Sequence, residues 1–468
     1  MKFGIGIDIG TFHTVATSVH EKKFCIPRHS IPSIALRIGN RPIVGNDAKQ
    51  QLDISDGLEL ILAPKLLLNT DSNQDFLQKI ISKLTGLALE DIDYVNNESG
   101  NIVITVPPGW TVEHCQLLEE AVEQLSIKAS FIHEPIALLI ATMYLSTIGS
   151  EQLSAKLENA DLFLVCDWGA GTVDVALVRV LKKGCQYEFS CEGEFTDRQH
   201  GGTSLARDIV YEYDKSVDID KMAYHLQSAW QGDEFLDLSY YKPLTNKHRG
   251  VAATDIASKI NQLFNEKNIK NTDSLVCIFH GGPLESDELR FFLKDKLMHS
   301  LGISTDQFLP IGNQFSEILP FDKVPWRRDV LVSAGASLFA SRGTIFPEFK
   351  YEIALRDSFG SISSRAPLEI KPNLGGIQVI KPPFTGCDYY VDVQQIRKDG
   401  TKTSQKKELS LYVRPDAVLI YRIREAGVGF ACIEVTEAED LPVPIPFPDA
   451  RSEWVRLPEC STRFSINF

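Results

Sequence analysis

The chain has 468 residues, 43% hydrophobic and 24% charged, the composition of folded globular domains with two or three cores and little extended disorder. With 62 acidic against 48 basic residues its formal net charge is -14, which repels a polyphosphate backbone and argues against nucleic acid as a main partner. Nine cysteines, from Cys25 to Cys460, form no Cys-x-x-Cys pair, so neither a zinc knuckle nor a disulfide framework is suggested and a reducing, cytoplasmic setting is expected.

Met1 to Ile9 reads as a strand and leaves no room for a signal segment, and no apolar run reaches the length of a membrane span. Phe3 to Thr11 (FGIGIDIGT), continuing through Val15, Ala16 and Thr17, is an apolar strand carrying Asp8, a Gly-Thr turn and a returning strand. Ile102 to Pro107 (IVITVP) is a short β-branched strand stopped by Pro107 and Pro108. Thr111 then caps a helix that has Glu113 in its first turn. Val112, Cys115, Leu118, Val122 and Leu125 form the apolar stripe of that helix. A second helix over Ile132 to Leu145, with Pro135 just inside its start, is apolar nearly all round and hence buried.

Leu162 to Val178 (LFLVCDWGAGTVDVALV) repeats the N-terminal device: an apolar strand, Asp167 at its end, a Gly-x-Gly-Thr turn and a returning strand. An echo at such wide separation predicts two related lobes around a shared cleft rather than a solenoid. Ser274 to Gly282 (SLVCIFHGG) is a third buried run ending in glycines, followed by a helix from Ser286 to Leu301. Val330 to Ser341 is a fourth, quieter instance in which Gly335 permits close approach of another element; it closes a first domain over 1–342.

After Gly343 helical periodicity fades and short alternating runs appear, such as Leu409, Leu411 and Val413, or Ala431, Ile433 and Val435, so 349–468 reads as a separate β domain. Val418 to Ile423 and Phe430 to Val435, with Gly427 and Gly429 between them, predict a hairpin, and Pro442 to Pro448 an extended tail.

Glycine turns at strand ends let main-chain N–H groups reach a phosphate that a side chain would block. Gly10, Thr11 and Phe12 are expected on one side of the terminal phosphates, and Gly169, Ala170, Gly171 and Thr172 on the other. Asp8, Asp167 and Asp174 then take the waters of a hydrated magnesium ion. Two buried strand-end carboxylates require cations or hydrogen bonds, and magnesium-ATP supplies both.

The landmarks come in the order of the actin, hexokinase and heat-shock ATPase superfamily, and their details resemble the seventy-kilodalton heat-shock (DnaK-like) chaperones over about residues 1 to 342. Phe3 to Val15 is similar to the first phosphate loop. IVITVP and Ile132, His133, Glu134 and Pro135 resemble the VITVP and NEP signatures. DWGAGTVDVAL resembles DLGGGTFDVSI, His200, Gly201 and Gly202 the LGG segment, and His280 to Pro283 the adenosine-loop VGGS. The resemblance implies an α/β, two-lobed actin-like (ribonuclease H-like) ATPase fold followed by a separate all-β domain, with ATP or ADP and Mg2+ as ligands. It assigns catalytic roles to Lys65, Glu134, Asp167 and Thr172. Thr11 and Thr172 would contact the terminal phosphate; Gly201, Gly202, Thr203, Gly281, Gly282 and Pro283 would line the other phosphates and adenosine, and Asp329 would precede the last helix.

Three departures concern coupling. The stretch between Gly202 and Ser274 is short and has no helix of the adenine-clamping type. Cys115 stands where the family has an arginine that works with Pro107, and Gly343 to Phe349 (GTIFPEF) replaces the acidic leucine-rich linker, with no helical lid expected. The implied function is an ATP-hydrolysing switch whose state controls binding of protein or peptide clients, with cochaperones or a nucleotide-exchange factor as further partners and neither nucleic acid nor membrane. An actin-like filament protein, a small-molecule kinase and a nucleotide-dependent scaffold are the alternatives.

Overall fold

The computed structural model describes residues 3–21, 23–52, 58–70, 73–92, 101–148, 151–231, 236, 238–309, 328–346, 350–357, 362–369, 377–380, 387–396, 402–403, 409–413, 418–427, 430–438, 451–456 and 463–468. It is a mixed α/β structure that divides into two compact units, Met1–Gly343 with Ile466–Phe468, and Thr344–Ser465.

In the first unit, β1 (Gly4–Ile9) runs antiparallel to β2 (His13–His20) and parallel to β3 (Asn101–Val106), which pairs in parallel with β4 (Ala129–His133). The arrangement recurs further along the chain. There β5 (Leu162–Trp168) runs antiparallel to β6 (Val173–Lys183) and parallel to β8 (Leu275–His280), and β7 (Gln186–Asp197) extends the sheet beyond β6. Both β1 and β5 lie between two strands and are buried along nearly their whole length on both faces, and the sequence answers with nearly unbroken apolar runs.

Helices seal these sheets. Leu164, Cys166, Val175 and Leu177 pack with Ala253, Ile256 and Ile260 of α6 (Lys242–Glu266) and with Leu289, Leu293 and Leu297 of α7 (Asp287–Leu301). Ser286 caps α7 by accepting from the Leu289 N–H. The helix α2 (Val112–Glu123) begins after Thr111, whose backbone N–H donates to His114 Nδ1 at 3.3 Å.

Two elements differ from the sequence reading. The helix α3 (Glu134–Ile148) starts at Glu134, because Ile132 and His133 continue β4 in register with Thr105 and Val106. The fourth glycine landmark is a helix, α8 (Leu331–Arg342), buried from Leu331 through Ala340. Alanine and leucine favour helix, and here the small residues serve helix packing: a Cβ on Gly335 would overlap the Ala137 carbonyl of α3. Gly335 is a point of close approach, with α3 as the neighbour.

Ile466–Phe468 group with the first unit rather than with the β domain in which the sequence reading put them. Aromatic contact explains it: the Phe468 ring lies 5.1 Å from Tyr187 and 5.8 Å from Tyr144, and its N–H donates to the Cys185 carbonyl.

The described residues of the second unit are strands. Cys387–Ile396 pairs antiparallel with Lys350–Asp357, Leu409–Val413 and Lys402–Thr403, and Lys350–Asp357 pairs also with Ile362–Glu369. Val418–Gly427 and Phe430–Ala438 form an antiparallel pair closing at Gly427 opposite Phe430. Gly429, the segment 347–349 and Pro442 to Pro448 lie outside the described residues. No helix among the described residues is long and apolar enough to cross a membrane.

Candidate functional site

Lys65 reaches the interior through an unusual approach. The strand Glu59–Leu62 ends at Ala63, which adopts a left-handed conformation (φ 54°), and Pro64 then opens the one-turn helix α1 (Pro64–Leu67). A left-handed alanine is a strained position of the kind that clusters at functional sites. It places a lysine that is 2% exposed, with Nζ donating to Glu134 Oε1 at 2.5 Å and to the Thr105 carbonyl at 3.1 Å. Glu134 is the first residue of α3, where the helix dipole favours an anion.

Asp8 on β1 accepts from the Thr105 hydroxyl at 2.8 Å. Burial and then the Glu134 charge push its carboxyl up to about 7 from 3.8, although Lys65 and Thr105 oppose the shift. On the other side of the site Asp174 accepts from Thr172 at 2.5 Å and from Thr196 at 2.6 Å. Burial and Glu134 again hold its carboxyl well above the usual range. Burial alone would depress the Lys65 ammonium, yet Glu134 and Asp8 carry it above an ordinary lysine. Asp167 stands opposite Asp174 across β5 and β6 and opposite His280 across β5 and β8, with His280 Nδ1 at 3.1 Å. Four carboxylates, Asp8, Glu134, Asp167 and Asp174, thus feel one another around the Lys65 ammonium.

The two glycine turns meet face to face. A Cβ on Gly171 would overlap the Thr11 side chain and Leu66. Phe12 and Ala170 belong to one apolar cluster, and the Phe12 ring stacks on Tyr224 of α5 (Ile219–Gln231) at 5.3 Å. The helix α4 (Gly202–Tyr213) docks its first amides on the second turn: the Gly202 N–H donates to the Gly169 carbonyl at 3.0 Å and the Thr203 N–H to the Ala170 carbonyl at 2.6 Å. Gly10 lies on the first turn beside Asp8 Oδ2.

Gly281 has φ +110°, and a Cβ there would overlap the Trp168 backbone; Gly282 and Pro283 continue as a short 3-10 turn. Gly281→Ala therefore destabilises the first unit by about 2–4 kcal/mol, from backbone strain and overlap together. Urea unfolding followed by circular dichroism checks this, and an unchanged midpoint would show a turn with room to spare. Asp329 is placed differently from the clustered carboxylates: it accepts from the Ser30 hydroxyl just ahead of α8.

This chain is similar to a DnaK chaperone. The chaperone protein DnaK of Thermoplasma volcanium is 24% identical to it over 348 residues, 63% of this chain and 54% of that protein. The chain spans about half the length of this curated relative. No family model matches it.

Sequence reasoning missed the residues that tie the cluster together. Thr105 and Thr196 each link a carboxylate to another part of the site, Thr196 also accepting from the Gly109 N–H at 2.8 Å. A hydroxyl among β-branched apolar residues was the available signal for Thr105. His200 was read only as a motif position; its ring bridges Asp197 at 3.1 Å and Asp255 of α6 at 3.3 Å, which raises its pKa. The Asp197 hydrogen bond is the main cause of that rise.

Proposed function

We propose that the first unit is a two-lobed, actin-like (ribonuclease H-like) ATPase of the heat-shock type. It takes ATP or ADP with magnesium between the turns after β1 and β5, and its nucleotide state governs binding of protein or peptide clients by the second unit. The buried cluster carries this reading: acids from both strand-turn-strand devices gather about one lysine, and burial with the Glu134 charge holds Asp8 and Asp174 above the usual carboxylate range, so that a bound cation would favour their ionised forms. The similarity to DnaK supports it.

The residues suit the group. No three His, Cys, Asp or Glu side chains among the described residues close round an ion, and the available donors are carboxylate and hydroxyl oxygens. That set favours a hard cation kept in its water shell over a softer metal in a closed cage. When bound, magnesium would neutralise phosphate oxygens and order water. Asp8, Asp167 and Asp174 would hold its waters.

Lys65, kept cationic by Glu134 and Asp8, offers fixed positive charge to the phosphoryl group being transferred. Glu134 anchors that ammonium and accepts a hydrogen bond from the attacking water. Thr11 presents its hydroxyl to the terminal phosphate, and Thr172, whose hydroxyl donates to Asp174, meets it through its backbone N–H. Gly10, Phe12, Gly169, Ala170 and Gly171 contribute main-chain groups beside it, while Gly201, Gly202, Thr203, Gly281, Gly282 and Pro283 lie along the remaining phosphates and adenosine. Asp329 supports the start of α8. Cochaperones or an exchange factor would act on the same cycle.

The purified chain should release phosphate slowly from ATP in a magnesium-dependent manner, without transferring it to added sugars, and ATP should change its affinity for a fluorescent peptide. Absence of ATP binding in calorimetry at millimolar nucleotide and magnesium would sink the proposal. Phosphate transfer seen only with a sugar would replace it by a kinase.

A further inference from the structure

Trp110 stands over the buried lysine. It sits in the turn between β3 and α2, entirely buried, with its ring centroid 5.5 Å from Lys65 Nζ. The Lys65 ammonium has three N–H groups. Glu134 and the Thr105 carbonyl receive two, and the indole lies within reach of the remaining positive charge. The turn is held from both sides: the Trp110 N–H donates to the Pro107 carbonyl at 3.1 Å, and the neighbouring Gly109 N–H to Thr196, which donates to Asp174.

The choice of tryptophan is informative. Its indole Nε1 is buried without a hydrogen-bond partner, so as a core filler it carries a desolvation cost that phenylalanine would avoid. What the indole adds is the aromatic face that attracts a desolvated cation most strongly.

We infer that Trp110 is a positioning residue for Lys65, its ring fixing the ammonium beneath the β3–α2 turn and excluding water from it. The inference rests on the proposed ATPase role of Lys65 for its kinetic consequence, but not for the contact itself.

The test uses the full chain with two variants, Trp110→Phe and Trp110→Leu. The leucine variant lowers kcat for ATP about tenfold with KM nearly unchanged, and phenylalanine restores it to within about threefold of the native value. Equal kcat in folded leucine and native protein, or an equal loss in both variants, overturns the inference. Circular dichroism separates misfolding from lost positioning. A second readout needs no nucleotide. The chain has five tryptophans, so the emission of Trp110 is taken as the difference between native protein and Trp110→Phe. That difference spectrum should shift when Lys65→Met removes the charge; no shift overturns the contact. If the spectrum shifts but native protein hydrolyses no ATP, the ATPase reading fails and takes the kinetic role with it.

Discussion

Lys65→Met should lower single-turnover ATP hydrolysis by about a hundredfold or more while changing nucleotide affinity by less than about tenfold. The lysine ammonium lies amid four mutually interacting carboxylates, and its charge would matter most as negative charge moves on the transferred phosphoryl group. Methionine keeps the unbranched apolar stem of the side chain and removes the cationic end. The same change also strips Glu134 and Asp8 of their partner. Removing one member of a buried ion pair costs about 3–5 kcal/mol, less if the carboxylates take up protons instead. A thermal melt at each assay pH therefore accompanies the kinetics. Turnover within tenfold of native in a fully folded variant would remove Lys65 from the mechanism.

Asp8→Asn should stabilise the nucleotide-free protein by a few kcal/mol at pH 8 and by almost nothing near pH 4. The reason is the sign of the shift. Asp8 in the folded protein titrates at about 7 instead of 3.8, so ionising it favours the unfolded chain. Its contribution to stability is fully present below about pH 4 and is lost progressively as pH rises through 7. Asparagine can still accept from Thr105 but carries no charge, which makes the variant flat over that window. Denaturant titrations of both proteins from pH 4 to pH 8 would read the difference directly, and parallel profiles would refute it. If Asp8 holds waters of the ion as proposed, the variant should need about tenfold more magnesium for half-maximal rate in turnover assays.

Local signals made the paired strand-turn-strand units readable. An apolar run, an acid and a glycine turn occupy neighbouring positions, and Asp8 and Asp167 follow from where the runs end. The same holds for α2, whose cap and stripe lie within a dozen or so residues of one another. Lys65 is the opposite case. By composition alone it is a lysine on a short helical segment, and its partners lie 40 and 69 residues further along the chain. Only the family resemblance pointed to it. Trp110 and Thr196 were beyond reach for the same reason. Their meaning comes from a turn and a strand brought together by tertiary packing. The helical fourth landmark shows a different limit: glycine among alanine and serine fits a tight turn or a close helix crossing, and only the position of α3 decides between them. The final phenylalanine joined the first unit through aromatic partners more than 280 residues away, as the positions of Tyr144 and Tyr187 imply.

The docking of α4 on the second glycine turn has a kinetic corollary. Two amides at the start of that helix, ideal for receiving an anion, already have backbone carbonyls as acceptors. On the proposed reading, a phosphate taken up at those amides would displace the carbonyls, so capture would be an exchange of acceptors with an unlatching step of its own. Association would then level off with rising ligand concentration instead of climbing without limit, and each capture or release would tug on the helix that follows.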